Sequence, residues 1–338
     1  MSMSRRQWMM VAAAGGASMA LTACGGSDGP AVETRDVVQI AQADPQFSIL
    51  VEAVVAADLV NTLKGPGPFT VFAPTNAAFA ALLAELGVTK EALLANKPLL
   101  TAVLTYHVLP GKVERAGVPL GKAVTTVQGG IFKVDATGGA LVITDGRNRT
   151  STIRATDIAA SNGVVHVIDR VLLPADKNIV QTAQALPQFS ILVEAVVAAN
   201  LAGALSGAGP LTVFAPTNDA FAALLSELGV TKTALLANTA LLTRVLTYHV
   251  VPGRVLKADV PVGTATTSLQ GATFTIDASL AITDQRGRKS NITATDVLTS
   301  NGVRSASHYA VNVLSAEQEL LSNRFASRAE DRFADADG

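Results

Sequence analysis

Residues Thr70–Leu83 read TVFAPTNAAFAALL, and residues Thr212–Leu225 read TVFAPTNDAFAALL, with one letter changed. A repeat this long and this faithful constrains the fold more than any other feature, because the chain must contain two copies of one folding unit. The offset of 142 residues also relates DVVQIAQADPQFSILVEAVVAADL (Asp36–Leu59) to NIVQTAQALPQFSILVEAVVAANL (Asn178–Leu201), and LTYHVLPGKV (Leu104–Val113) to LTYHVVPGRV (Leu246–Val255). It falls to 139 past DATGGALVITD (Asp135–Asp145), whose counterpart DASLAITD (Asp277–Asp284) is three residues shorter. A deletion that spares both apolar flanks belongs in a hairpin turn. The period is domain-sized, so the copies are tandem domains and not the units of a solenoid. Ala175–Lys177 alone separate them, a link short enough to hold the two in a fixed relation.

Each copy opens with helical periodicity and closes with strands. Phe47, Leu50, Val51, Val54 and Val55 form one apolar helical stripe. Asp44 and Pro45 suit an N-cap and first helical position, whereas the second copy has Leu186 at the cap. FTVFAPT reads as a buried strand, Asn76 as the cap of a helix carrying Phe79, Leu82, Leu83 and Leu86, and Gly87 as its end. TKEALLAN and PLLTAVLTYHV continue helical; from Gly111 onward short β-type runs such as IFKVDA, LVITD and GVVHVIDRVLLP take over. Helices followed by clustered strands argue an α+β fold.

The first residues read as an export address and stay outside the fold. MSMSRRQWMM is basic, and Val11–Leu21 is a short apolar stretch, below the roughly 20 residues that span a bilayer. It ends in LTAC (Leu21–Cys24), which resembles a bacterial lipobox whose cysteine is lipidated; Arg5-Arg6 resembles a twin-arginine export signal. These features predict a signal peptide over 1–23, lipidation at Cys24, a flexible tether over 24–35 and a protein lipid-anchored in the cell envelope, with Gly25 carrying no inner-membrane retention signal. Cys24 is the one cysteine, which excludes an intrachain disulfide and a cysteine-ligated metal cluster. Without residues 1–23 the chain has 24 basic and 27 acidic residues, a net −3, and 4% of the whole chain is aromatic. Neither figure suits a nucleic-acid partner.

TVFAPTNAAF, LTYHVLPGKV and SNGVVHVIDRVLLP resemble the signature blocks and central Tyr-His segment of the fasciclin domain family, over residues 36–174 and again over 178–302. The resemblance implies two wedge-shaped domains, each a β-sandwich with a packed helical layer. It also implies surface binding or adhesion without general catalytic activity. The family's Tyr-His segment, implicated in cell-surface binding in animal members, falls on Tyr106-His107 and Tyr248-His249. Its Asp-Ile motif falls on Asp157-Ile158, with Thr156 and Ala159 in place of the usual Pro and Met, and on Asp296-Val297 in the second copy.

Each candidate contact has a structural reading beside it. Tyr106 lies seven residues after Leu99 and suits a buried packing role with one polar partner. Asp157 suits the cap of a turn leading into Ser161-Asn162-Gly163. The turns DGRNR (Asp145–Arg149) and DQRGRK (Asp284–Lys289) carry small basic clusters suited to solvent or to an anion. The four histidines show no metal-ligand spacing, and no catalytic motif or cofactor fingerprint is recognisable. The expected function is therefore binding of a surface or matrix protein or polysaccharide by an anchored pair of domains. The alternative is a small-ligand carrier or enzyme working in a groove of the wedge.

The second copy departs from the first after SNGV (Ser300–Val303), continuing RSASHYAVNVL. The closing strand equivalent to Val164–Leu173 is thus expected to be missing or replaced, with a second domain over 178–314 that is the less stable one and a disordered tail over 315–338.

Overall fold

The computed structural model describes residues 34–307. The signal segment, Cys24, the tether up to 33, the HYAVNVL segment and the C-terminal tail lie outside the described residues.

Copy one starts with a helical layer: α1 (Val37–Ala43), α2 (Ser48–Ala56), α3 (Val60–Leu63), then strand β1 (Phe69–Pro74), then α4 (Asn76–Leu86), α5 (Lys90–Ala95) and α6 (Lys97–Tyr106). Six strands follow: β2 (Val108–Pro110), β3 (Ala123–Thr125), β4 (Ile131–Thr137), β5 (Ala140–Thr144), β6 (Thr150–Ala160) and β7 (Gly163–Ile168). Asp44 does cap Pro45–Phe47, a 3-10 turn leading into α2. The cap of α4 is Thr75, whose hydroxyl accepts from the Ala78 N–H. Asn76, the expected cap, instead ties α4 to α2: its Oδ1 accepts from the Ile49 N–H and its amide donates to Pro45 O. Gly87 ends the helix in the left-handed conformation at φ 64°, which a glycine adopts without steric penalty.

The seven strands form one sheet in the order β2-β1-β7-β6-β5-β4-β3. β1 and β7 run parallel and every other pair is antiparallel. β6 is eleven residues long and shifts register twice against β7, between Ile153 and Ala155 and between Ala155 and Ile158. Such bulges bend a strand. The bend folds the two halves of the sheet over each other, so Phe72 of β1 meets Phe132 of β4 edge-on with ring centres 5.2 Å apart. Two cores result. One joins the helices to the sheet through Phe47, Leu50, Phe79, Leu100, Leu104 and Val165. The other lies between the sheet halves around Phe72, Tyr106, Phe132, Val134, Ile143 and Ile168.

Copy two repeats this plan: helices α7 (Ile179–Gln184), α8 (Ser190–Ala198), α9 (Ala202–Ser206), α10 (Asn218–Leu228), α11 (Lys232–Ala237) and α12 (Thr239–Tyr248), and strands β8 (Leu211–Pro216), β9 (Val250–Pro252), β10 (Ala265–Thr267), β11 (Thr273–Ile276), β12 (Ala281–Thr283), β13 (Lys289–Thr299) and β14 (Gly302–Ser307). The three-residue deletion does fall in a hairpin turn, between β11 and β12. Of the closing strand expected to be missing or replaced, the part up to Ser307 is present with changed side chains. β14 pairs parallel with β8 and antiparallel with β13, as β7 does with β1 and β6. Main-chain hydrogen bonding does not depend on the side chains, so RSAS replaces VHVI without undoing the ladder. Gly302 is indispensable at its start, because a Cβ there would meet Leu211 O at 1.9 Å. Asn301 then holds the corner: its Oδ1 accepts from the Ile179 N–H and its amide donates to Leu205 O and Gly207 O, as Asn162 does with Val37, Leu63 and Gly65.

Candidate functional site

The Tyr-His pairs sit where each last helix gives way to a strand. Tyr106 closes α6 on its apolar face, fully covered, and its phenol donates to Ile131 O while its ring stands edge-on to Phe132. Burial, with the Asp145 carboxylate nearby, pushes its pKa far above the ordinary phenol value. Tyr248 repeats the contact on Thr273 O at 2.9 Å, its pKa pushed up to about 12 by burial and by the Asp284 carboxylate. His107 is buried with Nδ1 at 2.7 Å from Val103 O and Nε2 accepting the Leu172 N–H at 2.9 Å. Those partners require the neutral tautomer protonated on Nδ1. Burial drives its pKa down to about 4, the Arg149 charge adding to the effect. His249 holds the same bond to Val245 O, and burial lowers its pKa as well. None of the four presents a surface to a partner in this structure. The contact reading of Tyr106, His107, Tyr248 and His249 gives way to the packing one, since covered side chains with committed polar atoms brace the join of helix layer and sheet.

One arginine of each basic turn is likewise turned inward, while Arg147, Arg286 and Lys289 stay exposed. Buried Asp145 accepts the N–H groups of Arg147, Arg149 and Leu173 and pairs with the Arg149 guanidinium, which reaches on to Glu85 of α4. Asp284, Arg288 and Glu227 build the same chain in copy two. Arg149 and Arg288 therefore tie the sheet to the helices, which is not the solvent or anion contact expected of a hairpin tip.

Asp157 and Asp296 stand at the second bulge of β6 and β13, with φ 61° and 59°. Neither caps the turn that follows. Asp157 Oδ1 accepts the N–H of Arg115, 42 residues away, at 2.7 Å, and Asp296 Oδ1 does so from Lys257 at 2.7 Å. His166, which sequence reasoning left without a role, pins the copy-one bulge: Nδ1 accepts the Asp157 N–H and Nε2 bonds Val113 O. Ile158 is half-buried and packs into the helix-side core. The two aspartates then part company. Asp157 is exposed, whereas Asp296 is 7% exposed and its Oδ2 takes the Lys133 ammonium of copy one at 2.9 Å. Lys133 also touches Asp135 at 3.1 Å; burial works against its charge, yet the two carboxylates hold its pKa above the ordinary value.

That ion pair belongs to an interface between the copies. Asn148 exchanges two hydrogen bonds with the backbone of Leu298, at 3.0 and 2.7 Å. Ile131 clusters with Leu256, Leu298 and Val303. The contact falls where the copies differ in sequence. Copy one supplies Ile131, Lys133 and Asn148, where copy two has Thr273, Thr275 and Gly287; copy two supplies Leu256 and Leu298, where copy one has Glu114 and Ala159.

Apolar cavities of ≈ 40 Å³ in copy one and ≈ 30 Å³ in copy two lie under the helices. Their polar lining is His107 and His249 respectively, each already bonded, so they offer no convergent polar groups for catalysis. Among the described residues no three or more His, Cys, Asp or Glu side chains gather at metal distance, and no helix is long and apolar enough to cross a membrane.

A family model for the fasciclin domain matches residues 45–174 and 187–305. Protein sll1483 of Synechocystis is 47% identical over 143 residues, covering 41% of this chain and 73% of that protein. The transforming growth factor-beta-induced protein ig-h3 of Sus scrofa is 30% identical over 243 residues, 71% of this chain and 34% of that longer protein. Among solved structures, the FAS1 domain pair of the insect cell adhesion molecule Fasciclin I aligns over 79% of this chain and 96% of that pair, at 17% identity and a TM-score of 0.40.

Proposed function

This chain belongs to the fasciclin domain family, and on that premise we propose that it is a non-enzymatic, lipid-anchored envelope protein whose two domains bind a macromolecular partner at the cell surface or matrix. The observation that carries the reading is the contrast between its two bulge aspartates. In copy two the carboxylate has one oxygen fixed by a main-chain N–H and the other engaged by a lysine of a neighbouring domain. In copy one the first oxygen is fixed in the same way and the group stands exposed. An anchored carboxylate loses little freedom on binding a cation. Around Asp157, Glu114 and Ala159 replace the leucines that make the copy-two contact apolar. The partner that suits this face carries basic groups.

Anchoring supports the reading by raising local density, so that weak contacts gain avidity. Cys24→Ser should abolish incorporation of a fatty-acid analogue; equal labelling of variant and wild type would remove the anchor from the proposal. For binding, mature protein is to be passed over envelope extract and matrix polysaccharide with and without Asp157→Asn. The expected result is capture that weakens at least tenfold in the variant and falls with salt, at unchanged thermal stability. Capture indifferent to Asp157 and to salt would overturn the assignment of this face.

A further inference from the structure

Copy two already holds a strand on the face that copy one leaves bare, and that strand shows what the bare face fits. Strand β4 of copy one sends Phe132 and Val134 into its own core. Its alternate residues meet copy two: Ile131 clusters with Leu256, Leu298 and Val303, and the Lys133 ammonium lies 2.9 Å from Asp296 Oδ2. Side chains two places apart on a strand share one face. Copy two thus reads an apolar residue and, two places on, a lysine.

The lysine seat is the same in copy one. Asp157 and Asp296 share the left-handed bulge backbone, at φ 61° and 59°, and each has one carboxylate oxygen fixed by a main-chain N–H at 2.7 Å. The seat beside it has changed chemistry. Glu114 and Ala159 stand where copy two has Leu256 and Leu298, and with Asp157 they are exposed. An isoleucine laid there would strip water from the Glu114 carboxylate and give it no partner, whereas a lysine or arginine gives it a charged donor. Glu114 meets Lys112 at 2.8 Å, but the two side chains are 57% and 48% exposed, and a pair so open to water exchanges readily for another cation. The Arg115 guanidinium, the other cation of this stretch, donates to Gly139 O. A second molecule of this chain is not the occupant, because copy two has Thr273 and Thr275 in the places of Ile131 and Lys133.

We propose that the Asp157 face binds an extended segment of a partner protein carrying two basic residues at alternate positions, the first on Glu114 and the second on Asp157. The second basic residue takes on Asp157 the place that Lys133 takes on Asp296. Alternate side chains of an extended segment supply the specificity, as in other strand-like recognition, and Glu114 selects against the apolar residue that copy two accepts. The inference rests on the binding role given to Asp157 above and adds to it the spacing of the partner's charges.

The test is titration of the full mature protein with labelled, capped seven-residue peptides on one threonine-rich frame, read by fluorescence anisotropy at low salt. One peptide carries lysines at alternate positions, one carries adjacent lysines, and one has isoleucine in place of the first alternate lysine. The alternate-lysine peptide should bind about threefold more tightly than either of the others, the gain of one exposed ion pair. The adjacent-lysine peptide has the same net charge, so that difference reports spacing and not general attraction. Glu114→Leu installs the residue of copy two at an exposed position and should reverse the order, favouring the isoleucine peptide, while Asp157→Asn should weaken all three. Equal binding of alternate and adjacent lysines, an order unchanged in Glu114→Leu, or no binding of any peptide would each overturn the proposal. Capture from envelope extract then separates the two readings: capture that still depends on Asp157 keeps the role of that residue while the charge spacing falls, and capture indifferent to Asp157 removes both.

Discussion

Asp296→Asn, compared with Asp157→Asn, separates what a bulge aspartate does for its own domain from what it does between domains. Asparagine tolerates the left-handed backbone at φ near 60° and keeps a side-chain oxygen for the Lys257 or Arg115 N–H. The substitution removes little besides the charge. In copy two that charge meets Lys133 at 2.9 Å, with the two side chains 14% and 6% exposed. A hydrogen bond to a charged group in such a place contributes about 1.5–3 kcal/mol. Stranding a buried charge would cost about 3–5 kcal/mol, but Lys133 keeps Asp135 at 3.1 Å, which places the expected loss near the lower range, about 2 kcal/mol. At about 2–4 °C per kcal/mol for a body of this size, the melting point should fall by about 4–8 °C. Asp157→Asn, on an exposed face, should stay within about 0.5 kcal/mol of wild type. Scanning calorimetry on the three proteins decides it. Equal melting points for the two variants would refute the claim that the Lys133–Asp296 pair joins the domains.

Three further outcomes follow from the same contacts. Leu256→Glu places the copy-one residue in the apolar cluster with Ile131 and Leu298; it should split calorimetric unfolding into two transitions, and a single unaltered transition would show that the cluster does not couple the domains. Tyr106→Ala removes a fully covered ring and should destabilise copy one by about 3–5 kcal/mol, measured by urea unfolding; an unchanged midpoint would restore the contact reading of the Tyr-His segment. His107, with a folded pKa of about 4 against an ordinary 6.5, is held neutral, so its contribution is complete above pH 6.5 and is lost as pH falls toward 4, by about 3 kcal/mol in all. Stability measured from pH 7 to 4 should show that fall in wild type and a smaller one in His107→Gln, and identical profiles would exclude His107 as its source.

Much of the architecture is legible in the letters, because each copy's helix stripes and strand runs follow local rules. Phe47 to Val54 shows its face without a partner in view, and TVFAPT is too apolar and too sharply stopped at Pro74 to be other than a buried strand. The bulge at Asp157 is different. It interrupts an eleven-residue strand without glycine or proline, and the carboxylate's partner, Arg115, is remote in sequence. The role of His166 was hidden for the same reason. The closing strand of copy two is hard to read in the letters because its side chains change character, whereas the ladder needs only main chain and Gly302. The interface did leave a signal. Glu114 against Leu256, Lys133 against Thr275 and Ala159 against Leu298 are changes of polarity between corresponding positions of the two copies. Reading each copy for its own core passes over them, because they belong to neither core.

Those changes have a consequence for what the molecule can become. Two identical domains joined front to back would present the same unmet front and back at the ends of every molecule, and a head-to-tail contact that does not close on itself grows into a fibre. Here each domain has kept one half of the contact. The outward edge of copy two offers Thr273 and Thr275 where Ile131 and Lys133 would be needed, and the outward face of copy one offers Glu114 and Ala159 where leucines would be needed. Sequence drift between the copies thus removes the second half of the contact from each exposed side, so that the molecule does not polymerise with itself through the face that joins its two copies.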